Sequence, residues 1–442
     1  MRSRASRRLD QFFVLPTTPG STSNPEVARH FRRNFLVNAV DGMTWYFGIS
    51  FVSVSAILPV YASRLTDSPM VIGLIPALLD AGWFLPQLFM APYVERLRRK
   101  MPVVGWLALL ERIPFLGLAL AALWLPGLPH RTAVLVFLAV MAWRSLASGL
   151  VAMPWQELIA TVIPVSHRGR FFGISNLAGQ LLGVFGAALA ALILARLPYP
   201  RNFALCFLIG FLGIALSYVF LMFTIEPASI PVEHPPHNTH DYLQHLAAIL
   251  RTNANFRMFI LSRGLWYLGN MASGFIAVYT VQRFALPDSQ AGVFTAILLG
   301  SGVIGYGVWG SVGDRMGHKR VLELSGTLWV AALLVALTGP SVGFLYAVFA
   351  LMGFGSAGGV LGDLNIAMEF GPEVERPTYI GLARTVPGPV LFMAPLAAGM
   401  ILEVADYPTM FGVSLVFAAS GLALLWLRVV EPRRLLSAHG DQ

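Results

Sequence analysis

Gly310-Ser311-Val312-Gly313-Asp314-Arg315-Met316-Gly317-His318-Lys319-Arg320 joins two long apolar runs in the second half of the chain. A related stretch, Ala91-Pro92-Tyr93-Val94-Glu95-Arg96-Leu97-Arg98-Arg99-Lys100, joins two such runs in the first half. In each, an acid is followed at once by arginine and, five residues on, by one of the chain's two lysines, Lys319 and Lys100. The copies lie 219 residues apart (314 − 95), about half of the 442-residue chain. A second pattern, Pro164, Arg168 and Gly173, recurs with identical internal spacing as Pro372, Arg376 and Gly381. Recurrence of motifs points to a duplicated architecture more strongly than equal element counts do.

The runs that these motifs join decide the class. The composition is 56% hydrophobic and only 12% charged, against about a quarter charged in ordinary soluble domains. Apolar stretches long enough to cross a hydrocarbon core of about 30 Å fall at roughly 31–62, 69–94, 102–125, 132–163, 170–195, 202–225, 256–284, 290–312, 320–338, 341–370, 378–403 and 408–430. They predict an all-α membrane protein with twelve transmembrane helices, here called spans 1 to 12. The least apolar interior stretch, 226–255, divides them six and six. The expected organisation is a disordered cytoplasmic tail over 1–30, an N-terminal six-helix bundle over 31–225, a cytoplasmic linker over 226–255, a C-terminal bundle over 256–430 and a second tail over 431–442.

The charge is +9, but its placement argues for topology rather than for nucleic acid. With the N-terminus inside, 22 of the 31 basic residues fall at cytoplasmic turns and tails, and Arg64, Arg131, Arg196, Arg201 and Arg283 fall outside. That asymmetry is the positive-inside pattern. It predicts a multi-pass inner-membrane protein with both termini cytoplasmic, the lipid bilayer as its solvent and no nucleic-acid partner. Residues 1–30 hold no apolar core of signal-peptide length. The single cysteine, Cys206, lies in an apolar run and excludes an intrachain disulfide.

Several local matches carry no chemistry. Gly300-x-Gly302-x-x-Gly305 and Gly353-x-Gly355-x-x-Gly358 fit a dinucleotide fingerprint, yet each lies inside a span without a preceding strand, where small residues serve close helix packing. His234, His237 and His240 recur every third residue in a Pro-rich stretch that offers no fixed metal geometry. There is no phosphate-binding, zinc-protease or nucleophile-elbow motif, so no cofactor, metal or enzymatic activity is expected.

The Gly310–Arg320 stretch resembles the G-x-x-x-D-R-x-G-R/K-R/K signature of the major facilitator superfamily, and Ala91–Lys100 is a diverged copy, with Ala91 for Gly, Glu95 for Asp and Arg98 for the inner Gly. The resemblance runs from about residue 31 to 432. It implies two pseudo-symmetric six-helix bundles, a mid-membrane site lined by spans 1, 4, 7 and 10, and alternating access. It also assigns Glu95, Arg96, Asp314 and Arg315 to a cytoplasmic gate, with simple positive-inside anchoring as the bland alternative. Glu369 with Arg376 resembles the E-x6-R pattern of sugar carriers and extends that gate. Val140 and Arg144 resemble part of the span-4 motif of proton-coupled carriers, whereas the sequence around Gly179 departs from the drug-antiporter motif at Val184, Ala187 and Ala188.

Ionisable groups at membrane depth are functional candidates by default. In span 1, Asn34, Asn38 and Asp41 share a helical face that Trp45 continues. Aligning Phe31 with Phe256 sets Arg263 opposite Asn38, with Trp266, Tyr267 and Asn270 continuing the span-7 face. Span 4 adds Arg144, and span 10 adds Asp363 and Asn365. Asp80, Glu111, Arg112 and Arg384 complete the buried set. The resemblance suggests two pairs, Asp41 with Arg263 and Asp80 with Arg384, while fixed structural pairing is the alternative for each. Asp41 and Asp80 are the first choices for proton carriers. The expected protein is a monomeric, proton-coupled secondary transporter of a small organic solute, with export slightly favoured. Uptake of a sugar-like or anionic solute, and a non-transporting receptor or enzyme on the same scaffold, stay open.

Overall fold

The computed structural model describes residues 25–227, 239–371 and 375–433. Sixteen α-helices form among them: α1 (Pro25–Ser50), α2 (Ile57–Leu65), α3 (Pro69–Glu95), α4 (Met101–Trp124), α5 (His130–Val162), α6 (Val165–Arg196), α7 (Arg201–Met222), α8 (Thr239–Thr252), α9 (Ala254–Gly269), α10 (Ile276–Arg283), α11 (Gln290–Met316), α12 (His318–Thr338), α13 (Val342–Glu369), α14 (Arg376–Thr385), α15 (Gly388–Val404) and α16 (Tyr407–Arg428). Ten helical segments are long and apolar enough to cross a membrane. The other two crossings are α1 with α2 and α9 with α10, each interrupted midway. Counted this way the helices are consistent with the expected twelve spans, with α8 preceding the second six and α14 with α15 forming span 11. Of the interior histidine tract, His234 and His237 lie outside the described residues, as does Pro372.

Local chemistry marks the boundaries. Asn253 caps α9 by accepting from the Phe256 amide at 2.9 Å, and Asp406 caps α16 by accepting from Thr409 at 3.0 Å. Gly317 sits at φ +89°, a conformation that a side chain resists. It lets α11 and α12 meet with a single residue between them. In the first copy Arg98 occupies that register, and α3 and α4 are joined by residues 96–100 instead. The divergence of the first motif is thus a change of turn.

The interruptions of spans 1 and 7 agree residue for residue. α1 ends at Ser50 and α2 begins at Ile57; 219 residues later α9 ends at Gly269 and α10 begins at Ile276. Irregular backbone at membrane depth survives only where protein buries it, and Phe51, Val52, Ala272 and Phe275 are all buried. Amides freed by the break find nearby carbonyls, Val52 to Ile49 at 3.1 Å and Met271 to Leu268 at 3.2 Å. This register corrects the Phe31–Phe256 alignment: Arg263 corresponds to Thr44, not Asn38.

Packing repeats the duplication. Within each half, span 1 or 7 lies against the half's fifth and sixth spans, the second against the fourth, and the third against the fourth and sixth. The halves meet along two seams, α3 with α15 and α6 with α11. At the end remote from Pro25 and Arg433 one continuous apolar core includes Phe51, Tyr61 and Ile75 of the first half with Phe275, Tyr279 and Ala394 of the second. At the other end the cores are separate, Phe31, Phe35 and Phe171 on one side and Phe256, Phe259 and Tyr379 on the other.

Candidate solute cavity and gates

The split between those two separate cores opens a cavity of about 560 Å³ that reaches the middle of the first bundle. Asp41, Trp45, Tyr46, Trp83, Trp155 and Arg112 line its inner part, and Arg384 enters from the second half. Its floor is an ion network at the α1, α4, α5 and α7 junction. Arg112 donates to Glu111 at 2.7 Å and to Ser217 Oγ at 3.2 Å, Ser217 donates to Asp41 at 2.5 Å, and Ser148 donates to Glu111 at 2.5 Å. The Arg112 guanidinium also lies over the Trp45 ring, 5.0 Å from its centroid. Glu111 and Arg112 are adjacent in sequence, so their geometry depends on α7 supplying Ser217 and α5 supplying Ser148. Burying such charges is tolerable only because each is paired and hydrogen-bonded.

In the second half Arg263 donates to Asp363 at 2.7 Å and lies over Trp266 and Tyr267 at 5.4 and 5.3 Å. The expected Asp41–Arg263 pair is therefore replaced by two pairings inside the halves, Asp41 with Ser217 beside Arg112, and Arg263 with Asp363. Each half neutralises its own buried charge, so neither pairing spans the seam along which the halves separate.

The remaining predicted residues divide between cavity and scaffold. Asn34 exchanges two hydrogen bonds, both 2.9 Å, with the Ile225 backbone, and Asn38 donates to Thr224 at 3.0 Å. Both amides hold the end of span 6 and do not line the cavity, because their face of α1 is turned toward α7. Asn255 and Val430 repeat that clamp in the second half at 2.9 and 2.8 Å. Arg144 is buried over the Phe115 ring at 4.8 Å, with Nε and Nη1 unpartnered. Asn365 donates to Leu361 of its own helix at 2.7 Å, and Asn270 opens the span-7 break. Asp80 is half-buried on α3 and makes no hydrogen bond or ion pair among the described residues. α3 does pack on the span-11 helix α15, as expected, but the Asp80–Arg384 ion pair is not formed.

At the end carrying Pro25 and Arg433, Arg96, Asp314 and Arg315 are exposed, and none of these three forms an ion pair among the described residues. The Glu95 side chain lies outside the described residues. Glu369 is taken up by His318 at 2.8 Å and Arg433 at 2.7 Å, not by Arg376. Sequence reasoning missed a matched pair of acids nearby. Glu226, four residues past the end of α7, accepts from the Lys100 and Met101 amides at 2.8 and 2.7 Å, and Glu431, after span 12, accepts from the Lys319 amide at 3.2 Å. The repeated dipeptides Glu226-Pro227 and Glu431-Pro432 were the available signal. Burial, and then the neighbouring Glu369 carboxylate, push the Glu431 carboxyl above its ordinary range. At the remote end the halves are locked by an ion pair also missed, Arg64 to Asp288 at 2.7 Å, with Asp288 buried.

The model of one family, described as Major Facilitator Superfamily, matches residues 35–306 and 259–442. The chain belongs to the major facilitator superfamily. As a superfamily member it is a multi-pass membrane transporter rather than an enzyme. Its fold is similar to that of a D-xylose–proton symporter, with a TM-score of 0.68 at 14% identity over 91% of this chain and 99% of that one. A variant of the nucleoside transporter NupG gives 0.67 at 15% identity, over 88% and 99%. A bacterial homologue of the iron transporter ferroportin, solved in an inward-facing state, gives 0.65 at 15% identity, over 92% and 99%. No curated protein matches the chain in sequence. At these identities the likeness establishes the superfamily fold and leaves cargo to the cavity's own chemistry.

Proposed function

We propose that the protein is a monomeric, proton-coupled secondary carrier of the cell's inner membrane that exports a small organic solute by alternating access. The observation that carries this reading is the asymmetry of the interior: one shared core at one end, two separate cores at the other, and an aromatic and charged cavity between them. With the basic residues gathered at the end of Pro25 and Arg433, that end is cytoplasmic and the arrangement is inward-open. Glu95, Arg96, Asp314 and Arg315 then form the cytoplasmic gate of the opposite state, and the site is complete within one chain.

Proton coupling needs a carboxylate shielded from water yet not locked to a fixed counter-charge. Asp80 meets that condition, and Asp41, held by Ser217 beside Arg112, is the second candidate. Export is favoured over sugar uptake because the lining offers broad apolar walls, with Tyr46, Ser175 and Asn176 as its neutral hydroxyl and amide side chains, Tyr46 and Asn176 being bonded to each other at 3.2 Å. A polyhydroxyl solute requires a denser set of hydrogen-bonding groups.

The test is reconstitution with an imposed proton gradient. Asp80→Asn is expected to abolish gradient-driven accumulation while solute counterflow persists; undiminished accumulation removes Asp80 from the coupling step. Flux in inside-out vesicles that is driven outward by the gradient is not expected, and its appearance would reverse the direction assigned.

A further inference from the structure

We infer that the cargo is an aromatic carboxylate, its anion held by Arg384 and its ring held against Trp45, Trp83 and Trp155. This rests on reading the cavity as the solute site and concerns only which solute it accepts.

The case is an account of donors and acceptors. Both Glu111 oxygens are engaged, by Arg112 at 2.7 Å and Ser148 at 2.5 Å. Asp41 accepts from Ser217 at 2.5 Å through Oδ1. Glu111 is therefore fully engaged and Asp41 shares Ser217 with the buried Arg112, whereas the lining keeps one open cationic group. Arg112 is buried, and its Nε–H has no partner although its other nitrogens serve Glu111, Ala108 and Ser217. Arg384 projects into the cavity exposed, without a hydrogen bond or ion pair among the described residues. The Asp363 carboxylate of the same half already holds Arg263 at 2.7 Å and forms no ion pair with Arg384.

A cationic solute would find Glu111 occupied, Asp41 beside the buried Arg112, and the exposed Arg384 in the same lining. A carboxylate would find an open planar fork, the geometry that guanidinium recognises bidentately. A dianion such as a phosphate monoester would need more than one free guanidinium at the surface of the cavity, and Arg384 alone is exposed there among the described charged lining residues. Trp45, Trp83 and Trp155 line the same cavity as Arg384 and supply flat apolar area, which favours a ring over an aliphatic chain. A volume near 560 Å³ lies within the range of pockets for small drug-sized molecules.

The deciding experiment is calorimetric titration of the purified full chain with 2-naphthoate, 2-naphthamide and 2-naphthylmethylammonium. The acid is expected to bind at least tenfold more tightly than the amide or the amine. Arg384→Gln should weaken the acid about 10- to 100-fold, the loss of a charge-assisted hydrogen-bonded pair, and leave the amide unchanged. Arg384→Lys should fall between. Arg384 is exposed, so these variants are expected to fold, and a melting curve checks that they do. No binding of the acid at millimolar concentration, equal binding of the amide or amine, or an unchanged acid affinity in Arg384→Gln overturns the inference. Counterflow with the same three compounds separates the two readings. Acid that binds but does not exchange sinks the carrier reading and leaves the anion assignment standing; exchange of the amine without the acid does the reverse.

Discussion

Asn34 and Glu111 show how buried polar residues of one half divide between scaffold and site. Asn34 is buried and has both amide atoms on the Ile225 backbone. Asn34→Ala leaves that backbone unsatisfied and should cost about 1–3 kcal/mol, read as a lower melting temperature, with solute affinity unchanged. An unchanged melting temperature with weakened solute binding would return Asn34 to the cavity. Glu111→Ala strips Arg112 of its ion partner in a water-poor site, and removing one member of such a pair costs about 3–5 kcal/mol. Both stability and solute binding should fall, because Arg112 is also part of the cavity wall. Retention of wild-type stability would mean that Ser217 and Asp41 alone hold Arg112.

At the scale of elements, the seams explain which end is closed. Gly292 of α11 approaches α6 so closely that a methyl group there would come within 2.5 Å of the Ala191 amide nitrogen, and one at Gly73 of α3 would overlap the Pro395 carbonyl oxygen on α15. Both glycines lie toward the end where the two halves share a core. Gly292→Val should therefore wedge α11 from α6 and favour opening at that end. Spin labels placed by Asp67→Cys and Pro287→Cys on a Cys206→Ala background measure it. Their distance distribution is expected to lengthen relative to the unwedged protein, and an unchanged distribution would mean that the seam yields elsewhere. The matched breaks of spans 1 and 7 meet the same region, since α2 and α10 lie against each other there.

For the whole molecule, alternating access requires two lids of comparable strength. The lid closed here combines a shared apolar core with the Arg64–Asp288 pair, in which the arginine is half-exposed. The pair should contribute about 1 kcal/mol, roughly a fivefold shift in the closed-to-open ratio. Arg64→Asp alone should open the labelled end and Arg64→Asp with Asp288→Arg should restore closure. Failure of the double substitution to restore it would assign closure to the apolar core alone. In the proposed cycle the opposite lid draws on Arg96, Asp314 and Arg315, which are exposed here and so hydrated at low cost before that end closes.

The sequence by itself determined the class, the many apolar crossings and the duplication, because hydrophobic length and motif spacing are local properties that a bilayer converts directly into topology. Asp41, Trp45, Arg263 and Asp363 were legible as interior residues for the same reason, since membrane depth makes a charge conspicuous. Partners were not legible. Glu111 with Ser148, Arg112 with Ser217, Asn34 with Ile225 and Arg64 with Asp288 join residues far apart in the chain, and which of them meet depends on helix rotation and on which end of the bundle is closed. Only the tertiary structure decided that the buried charges are neutralised within each half, that Asn34 and Asn38 belong to the scaffold, and that Arg384 is left open to the cavity. The physical cause is that a buried ion pair is stable only where a third and fourth helix complete its hydrogen bonds, and such completion is a property of packing.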